Sequence, residues 1–239
     1  MLDLKFSPWG RRGGAEPVRR PVSYACAPWE PVDWQPFDIA AIDAYRDADN
    51  VGTFRDQLRR QLGHGKPLVV TEFGCACYAG AGDRGGMGWA IVDETTDPPQ
   101  LDGDYVRDET EQVRYLRELH QIFTEEGADL AFWHAFACYE AVHRSQPRHD
   151  LDLASFGVVR MLDTGPGTGY QGLGWEPKLA FTALAELSQA SAARLSRVGV
   201  LRGVAGAGRK ARDGVRGDQA EDLARGGFWR PRPLRGSLR

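Results

Sequence analysis

The chain has 239 residues, 42% hydrophobic and 26% charged, close to globular averages, which excludes a long disordered polymer and fits one large domain with an appendage. Its net charge of −3 conceals a split, because residues 1–190 carry 18 Lys and Arg against 29 Asp and Glu, while residues 191–239 carry 12 against 4. No run reaches the roughly 18–20 apolar residues that cross a bilayer, and the opening MLDLKFSPWGRRGG lacks the apolar core of a secretory signal, so a cytoplasmic chain with no membrane association is expected.

Residues 1–20 are rich in Gly, Arg and Pro without a hydrophobic period and read as an irregular lead-in. From Pro21 onward four short apolar runs have strand length and composition: 22–26, 37–45, 67–73 and 129–136. Between and after them lie helical patterns. Thr53–Leu62 puts Phe54, Leu58 and Leu62 on one face, Tyr105–Glu126 carries a stripe from Val113 to Phe123 closed by Gly127, and Glu176–Gln189 has Pro177 in its expected first turn. Strands alternating with helices imply a parallel sheet with crossover connections over residues 21–190. Residues 191–239 are Arg- and Gly-rich with no sustained stripe and are expected to be a disordered basic tail. Nucleic-acid binding by that tail is disfavoured, since its aromatic residues are only Phe228 and Trp229.

Two connections, Gly74–Asp104 and Ala137–Trp175, are long and bear aromatics, including Tyr78, Trp89, Tyr139, Tyr170 and Trp175. Each follows a strand, where ligand-contacting loops of α/β folds lie, although aromatics there also pack loops onto the scaffold. The sharpest chemical feature is Gly65-Lys-Pro-Leu-Val-Val-Thr-Glu-Phe-Gly74, an apolar strand ending in the Glu72 carboxylate. A group at the carboxyl end of a parallel strand is rigidly held and open to substrate; a structural ion pair is the alternative. Cys26, Cys75, Cys77 and Cys138 end or follow strands, with His134, His143 and His149 nearby, but Cys-Ala-Cys is tighter than zinc spacing, so free thiols and no metal are expected. Gly82–Gly88 has no helix start or Lys-Ser/Thr ending for a phosphate site, and no Gly-x-Ser-x-Gly elbow occurs.

The segment KPLVVTEFG, with Trp133 in LAFWHAF and a strand ending at Tyr45, resembles the second half of the clan A glycoside hydrolase barrels. APWEPVDW, FDIAAIDAYRDA, GGMGWAIVD, GDYVRDE and WEPK also resemble actinobacterial proteins labelled abortive infection proteins, over about residues 20–190. The resemblance implies the C-terminal half of a (β/α)8 barrel of about four βα units. It further implies retaining hydrolysis of O-glycosidic bonds without a cofactor, Glu72 as nucleophile, Tyr45 as its hydrogen-bonding neighbour and Trp133 as a sugar platform, with Trp89 and Trp175 as further stacking candidates. The clan's acid/base ends a strand that has no counterpart here, so a fragment lacking it is expected. Glu30, after the first strand, and Glu140, after the last, are stand-ins, Glu30 being better suited to ordering the Trp29 loop or bonding a sugar hydroxyl. Asp43, on the same side of its strand as Tyr45, is read as a hydrogen-bonding group inside the barrel. The alternative is a non-catalytic protein, either carbohydrate-binding or acting in phage defence on a degenerate barrel. An open half-barrel exposes two sheet edges, which a homodimer would cover.

Overall fold

The computed structural model describes residues 20–191; the readings of the lead-in and of the basic tail fall, but for Arg20 and Ser191, outside the described residues. The elements run β1 (Ala25–Cys26), β2 (Ala40–Asp43), α1 (Phe54–Leu62), β3 (Leu68–Phe73), a short α2 (Ala81–Arg84), β4 (Val92–Asp93), β5 (Gln100–Leu101), α3 (Glu109–Glu126), β6 (Leu130–Trp133), β7 (Val142–His143), β8 (Val159–Leu162) and β9 (Trp175–Pro177). A last helix, α4, covers residues 179–191.

The main sheet is four-stranded and parallel in the order β1-β2-β3-β6. It is the mixed α/β sheet that the four apolar runs imply, each strand shorter than its run. Among the described residues it is open, with β1 and β6 as its edges. One face is dry: Ala40, Ile42, Leu68, Val70 and Phe73 pack with Phe54 and Leu58 of α1, Leu116, Leu119 and Phe123 of α3, and Ala180 and Ala183 of α4. Burying a side chain of this size stabilises by about 1.5–3 kcal/mol, so this layer dominates the fold's stability. On the other face Leu130, paired in register with Val69, and Phe132 remain 57% and 53% exposed.

Local signals place the helices. Phe54 and Leu58 of α1 are buried as the period requires, and Arg55 and Arg59 bind Glu126 of α3 at 2.8 and 2.7 Å. α3 starts at Glu109 rather than Tyr105, because the Asp108 side chain accepts from the N–H groups of Thr110 and Glu111 while Arg107 bridges Tyr78. It ends at Gly127, whose φ of 85° closes the last turn. The expected helix start at Glu176 is corrected: Trp175–Pro177 form β9 against β8, with Arg160 and Glu176 joined at 2.6 Å, and the helix begins at residue 179. Pro177 has no N–H to give a ladder, which a terminal strand position tolerates.

The long connections are structured. Residues after β3 and around 151–156 form a second core that includes Cys77, Tyr78, Ile91, Leu101, Leu153 and Phe156. Beside it Lys178 and Asp152, both 0% exposed in their side chains, form an ion pair at 2.9 Å, and Arg107 reaches Asp150 and Asp152 at 2.8 and 2.9 Å. Cys77 Sγ accepts from both Arg107 and Lys178 at 3.5 Å, so the network ties the two long connections to each other. No helix among the described residues is long and apolar enough to cross a membrane.

Candidate functional site

Strand alternation alone would send Glu72 the wrong way. Leu68 and Val70 face the helices, and Glu72 has their parity. The register, however, pairs Ile42 with Val70 and then Asp43 with Glu72, so β3 carries one extra residue at Thr71. Such a bulge re-aims the residues that follow it. Phe73 then buries against Trp133 and Phe123, and Glu72 lines a cavity of about 570 Å³ at the carboxyl end of the sheet together with Asp43, Tyr45, Trp29, Trp89 and His134.

Glu72 is 41% exposed in its side chain, and its two oxygens differ. The Tyr45 hydroxyl donates to Oε2 at 3.0 Å, while Oε1 faces His134 Nδ1 at 3.7 Å, beyond hydrogen-bond reach. The Tyr45 ring is held by Phe156, with centroids 6.1 Å apart, and by Gly86, where a Cβ would sit 3.0 Å from Tyr45 Cγ. Its backbone carbonyl accepts from Asn50 Nδ2 at 2.8 Å. Burial, reinforced by the charge and hydrogen bond of Glu72, pushes the Tyr45 phenol well above its ordinary value. Tyr45 is therefore a fixed donor to Glu72 rather than a source of phenolate.

Asp43, the register partner of Glu72, accepts from Thr71 Oγ1 at 2.8 Å. Burial raises its carboxyl above the usual range; the Thr71 bond opposes this and the Glu72 charge adds to it. Gly74 lets the end of β3 meet the end of β6, since a Cβ there would lie 2.5 Å from the His134 carbonyl.

Of the residues singled out in the sequence, the structure brings Glu72, Tyr45, Trp29 and Trp89 to one cavity. Trp29 is 82% exposed and Trp89 54%. Trp133 lies beneath the cavity, 9% exposed, its indole donating to the Phe156 carbonyl at 2.9 Å. Trp175 packs edge-on against Phe136 and at a tilt against Tyr170 and Phe181, outside the cavity wall. Glu30 spends Oε1 on the Tyr24 hydroxyl and Oε2 on the Ala27 N–H, and lines a neighbouring groove over α1. Glu140 is exposed and outside the cavity wall.

Three contributors carry no distinct site signal of their own in the sequence: His134 reads as a metal candidate, Asp43 as an internal hydrogen-bonding group, and Gly86 as part of a glycine-rich segment. Their near neighbours, Tyr45 for Asp43 and Trp133 for His134, are what points to them. Among the described residues no group of three or more His, Cys, Asp or Glu is arranged to hold a metal ion. The described cysteines are free, and burial pushes the Cys77 thiol up to about 12. A scan against protein-family models and a search of curated proteins return no match for this chain.

Proposed function

We propose that the chain is a retaining glycoside hydrolase on the C-terminal half of a (β/α)8 barrel, with Glu72 as the nucleophile. The fold reading is supported by four parallel strands in sequence order with α1, α3 and α4 on one face and the cavity at their carboxyl ends. The activity reading rests on one observation, a carboxylate bonded by a fixed tyrosine at one oxygen and open at the other, in a cavity bearing two exposed indoles. Glu72 Oε1 attacks the anomeric carbon as the bond to the leaving oxygen breaks, and water later displaces the sugar from the glycosyl-enzyme. Tyr45 holds Oε2 throughout. Trp29 and Trp89 offer apolar faces to a sugar ring. No step calls for a cofactor.

The test is turnover of a panel of aryl glycosides by the purified chain. Turnover of at least one, reduced about 1,000-fold or more by Glu72→Gln, is expected for loss of a nucleophile. No turnover, or turnover indifferent to that substitution, overturns the reading. Carbohydrate binding without hydrolysis is the second reading, favoured by the exposure of Trp29 and Trp89. It predicts calorimetric binding of an oligosaccharide that Trp89→Ala weakens and Glu72→Gln spares.

A further inference from the structure

Resting on the glycosidase reading, we propose that Asp43 is the proton donor of the Glu72 site. Retention needs a second carboxyl group about 5–5.5 Å from the nucleophile. Neighbouring strands lie about 4.8 Å apart. Asp43 and Glu72 are register partners on neighbouring strands, and the bulge at Thr71 turns Glu72 to the side that Asp43 already faces, so both line one cavity. The same irregularity that re-aims the nucleophile thereby brings a second carboxyl group, one strand away, to the wall of its cavity.

The other carboxylates are committed elsewhere. Asp47 also lines the cavity, but it lies four residues beyond the register partner of Glu72, in the loop after β2 that its Oδ1 closes by accepting from the N–H groups of Asp49 and Asn50. Glu30 has both oxygens engaged outside the cavity wall. Asp43 gives Oδ1 to Thr71, which fixes the carboxyl group and leaves Oδ2 for the proton. The groups that act on it are Thr71 and Glu72 from β3, His134 after β6 and Glu30 after β1. Burial is the largest influence and favours the neutral acid.

In the first step Glu72 Oε1 bonds to the anomeric carbon, the glycosidic C–O bond breaks, and the Asp43 proton passes to the departing oxygen, releasing an alcohol. In the second, Asp43 carboxylate takes a proton from water. The hydroxyl forms the new bond to the anomeric carbon, and the bond to Glu72 breaks. Both carboxyl groups return to their starting states.

The test uses full-length protein with phenyl and 2,4-dinitrophenyl glycosides of glucose, galactose, mannose, xylose and N-acetylglucosamine. Dinitrophenolate leaves without a proton; phenolate needs one. Asp43→Asn is expected to slow glycosyl-enzyme formation from the phenyl glycoside by about 100-fold or more and from the dinitrophenyl glycoside by less than about 10-fold, with azide restoring turnover of the latter. Equal losses on both substrates, or none, while Glu72→Gln abolishes turnover, overturn the role of Asp43 and leave the glycosidase reading standing. A panel without turnover, or turnover indifferent to Glu72→Gln, fails the reading itself and the proposal with it. Should Asp43→Asn not fold, Thr71→Val carries the test. Losing the bond that favours the charged Asp43 should move the alkaline limb of kcat/KM to higher pH, and an unmoved limb overturns the proposal.

Discussion

Tyr45, just past the end of β2, donates to Glu72 Oε2 of β3 at 3.0 Å, and its ring has Gly86 on one side and Phe156 nearby. Burial, Glu72 charge and the shared hydrogen bond all keep the phenol protonated. Glu72→Gln removes the charge but not the burial. The Tyr45 phenol should then titrate at lower pH than in the parent, yet still above an ordinary tyrosine, seen as the difference in phenolate absorbance between proteins with and without Tyr45→Phe. Tyr45→Phe itself should lower kcat on a turned-over aryl glycoside by about 10–100-fold, the scale of one hydrogen bond to a charged group.

Gly74 stands where β3 hands over to the loop. A methyl group there would press on the His134 carbonyl at 2.5 Å and lie 3.4 Å from the Trp133 ring. Backbone cannot yield as a flexible side chain does. Gly74→Ala should cost about 1–3 kcal/mol in urea unfolding, the usual range for overpacking, and should depress activity more than Gly52→Ala, where a Cβ meets nothing within 4 Å.

Arg160 at 2.6 Å and the Thr168 N–H and hydroxyl hold the Glu176 carboxyl at about 2, below its ordinary 4.5. A depressed carboxyl contributes stability that is present above the unfolded value and is lost as pH falls through the folded one. Melting temperature should therefore decline between pH 4.5 and about 2 partly through this group. Glu176→Gln should flatten that part of the curve and leave the neutral-pH slope alone.

Lys178 and Asp152 are both fully buried and 2.9 Å apart. Removing one partner strands the other charge away from water. Lys178→Met should destabilise by about 3–5 kcal/mol, and adding Asp152→Leu should recover much of that loss. A double variant less stable than Lys178→Met would show that Arg107, also 2.9 Å from Asp152, depends on the same carboxylate.

The parts of this molecule legible in its sequence are those governed by period and caps. Phe54 and Leu58 mark α1, Gly127 ends α3, and the apolar runs ending at Cys26, Tyr45, Phe73 and Phe136 contain the four strands of the sheet. Tyr45 stands out because it closes such a run, and Glu72 because it is the one carboxylate within another, a residue before its end. What stayed hidden depends on events between strands. The extra residue at Thr71 changes which side Glu72 faces and makes Asp43 its partner, and no local pattern announces it. Trp133 reads as a surface platform until Phe73 and the Phe156 carbonyl are seen to enclose it. The start of α4 shifted because β8 offered Glu176 a strand partner and Arg160 a charge.

If Glu72 is the nucleophile proposed above, it becomes covalently attached to sugar, and intact-protein mass spectrometry after incubation with 2,4-dinitrophenyl 2-deoxy-2-fluoro-glycosides of the same five sugars reads that bond. A mass gain of one fluorosugar per chain is expected for at least one of them, located on Glu72 in the peptide that contains β3 and absent in Glu72→Gln. A label on another residue, or no label with any sugar while the protein remains folded, would contradict it.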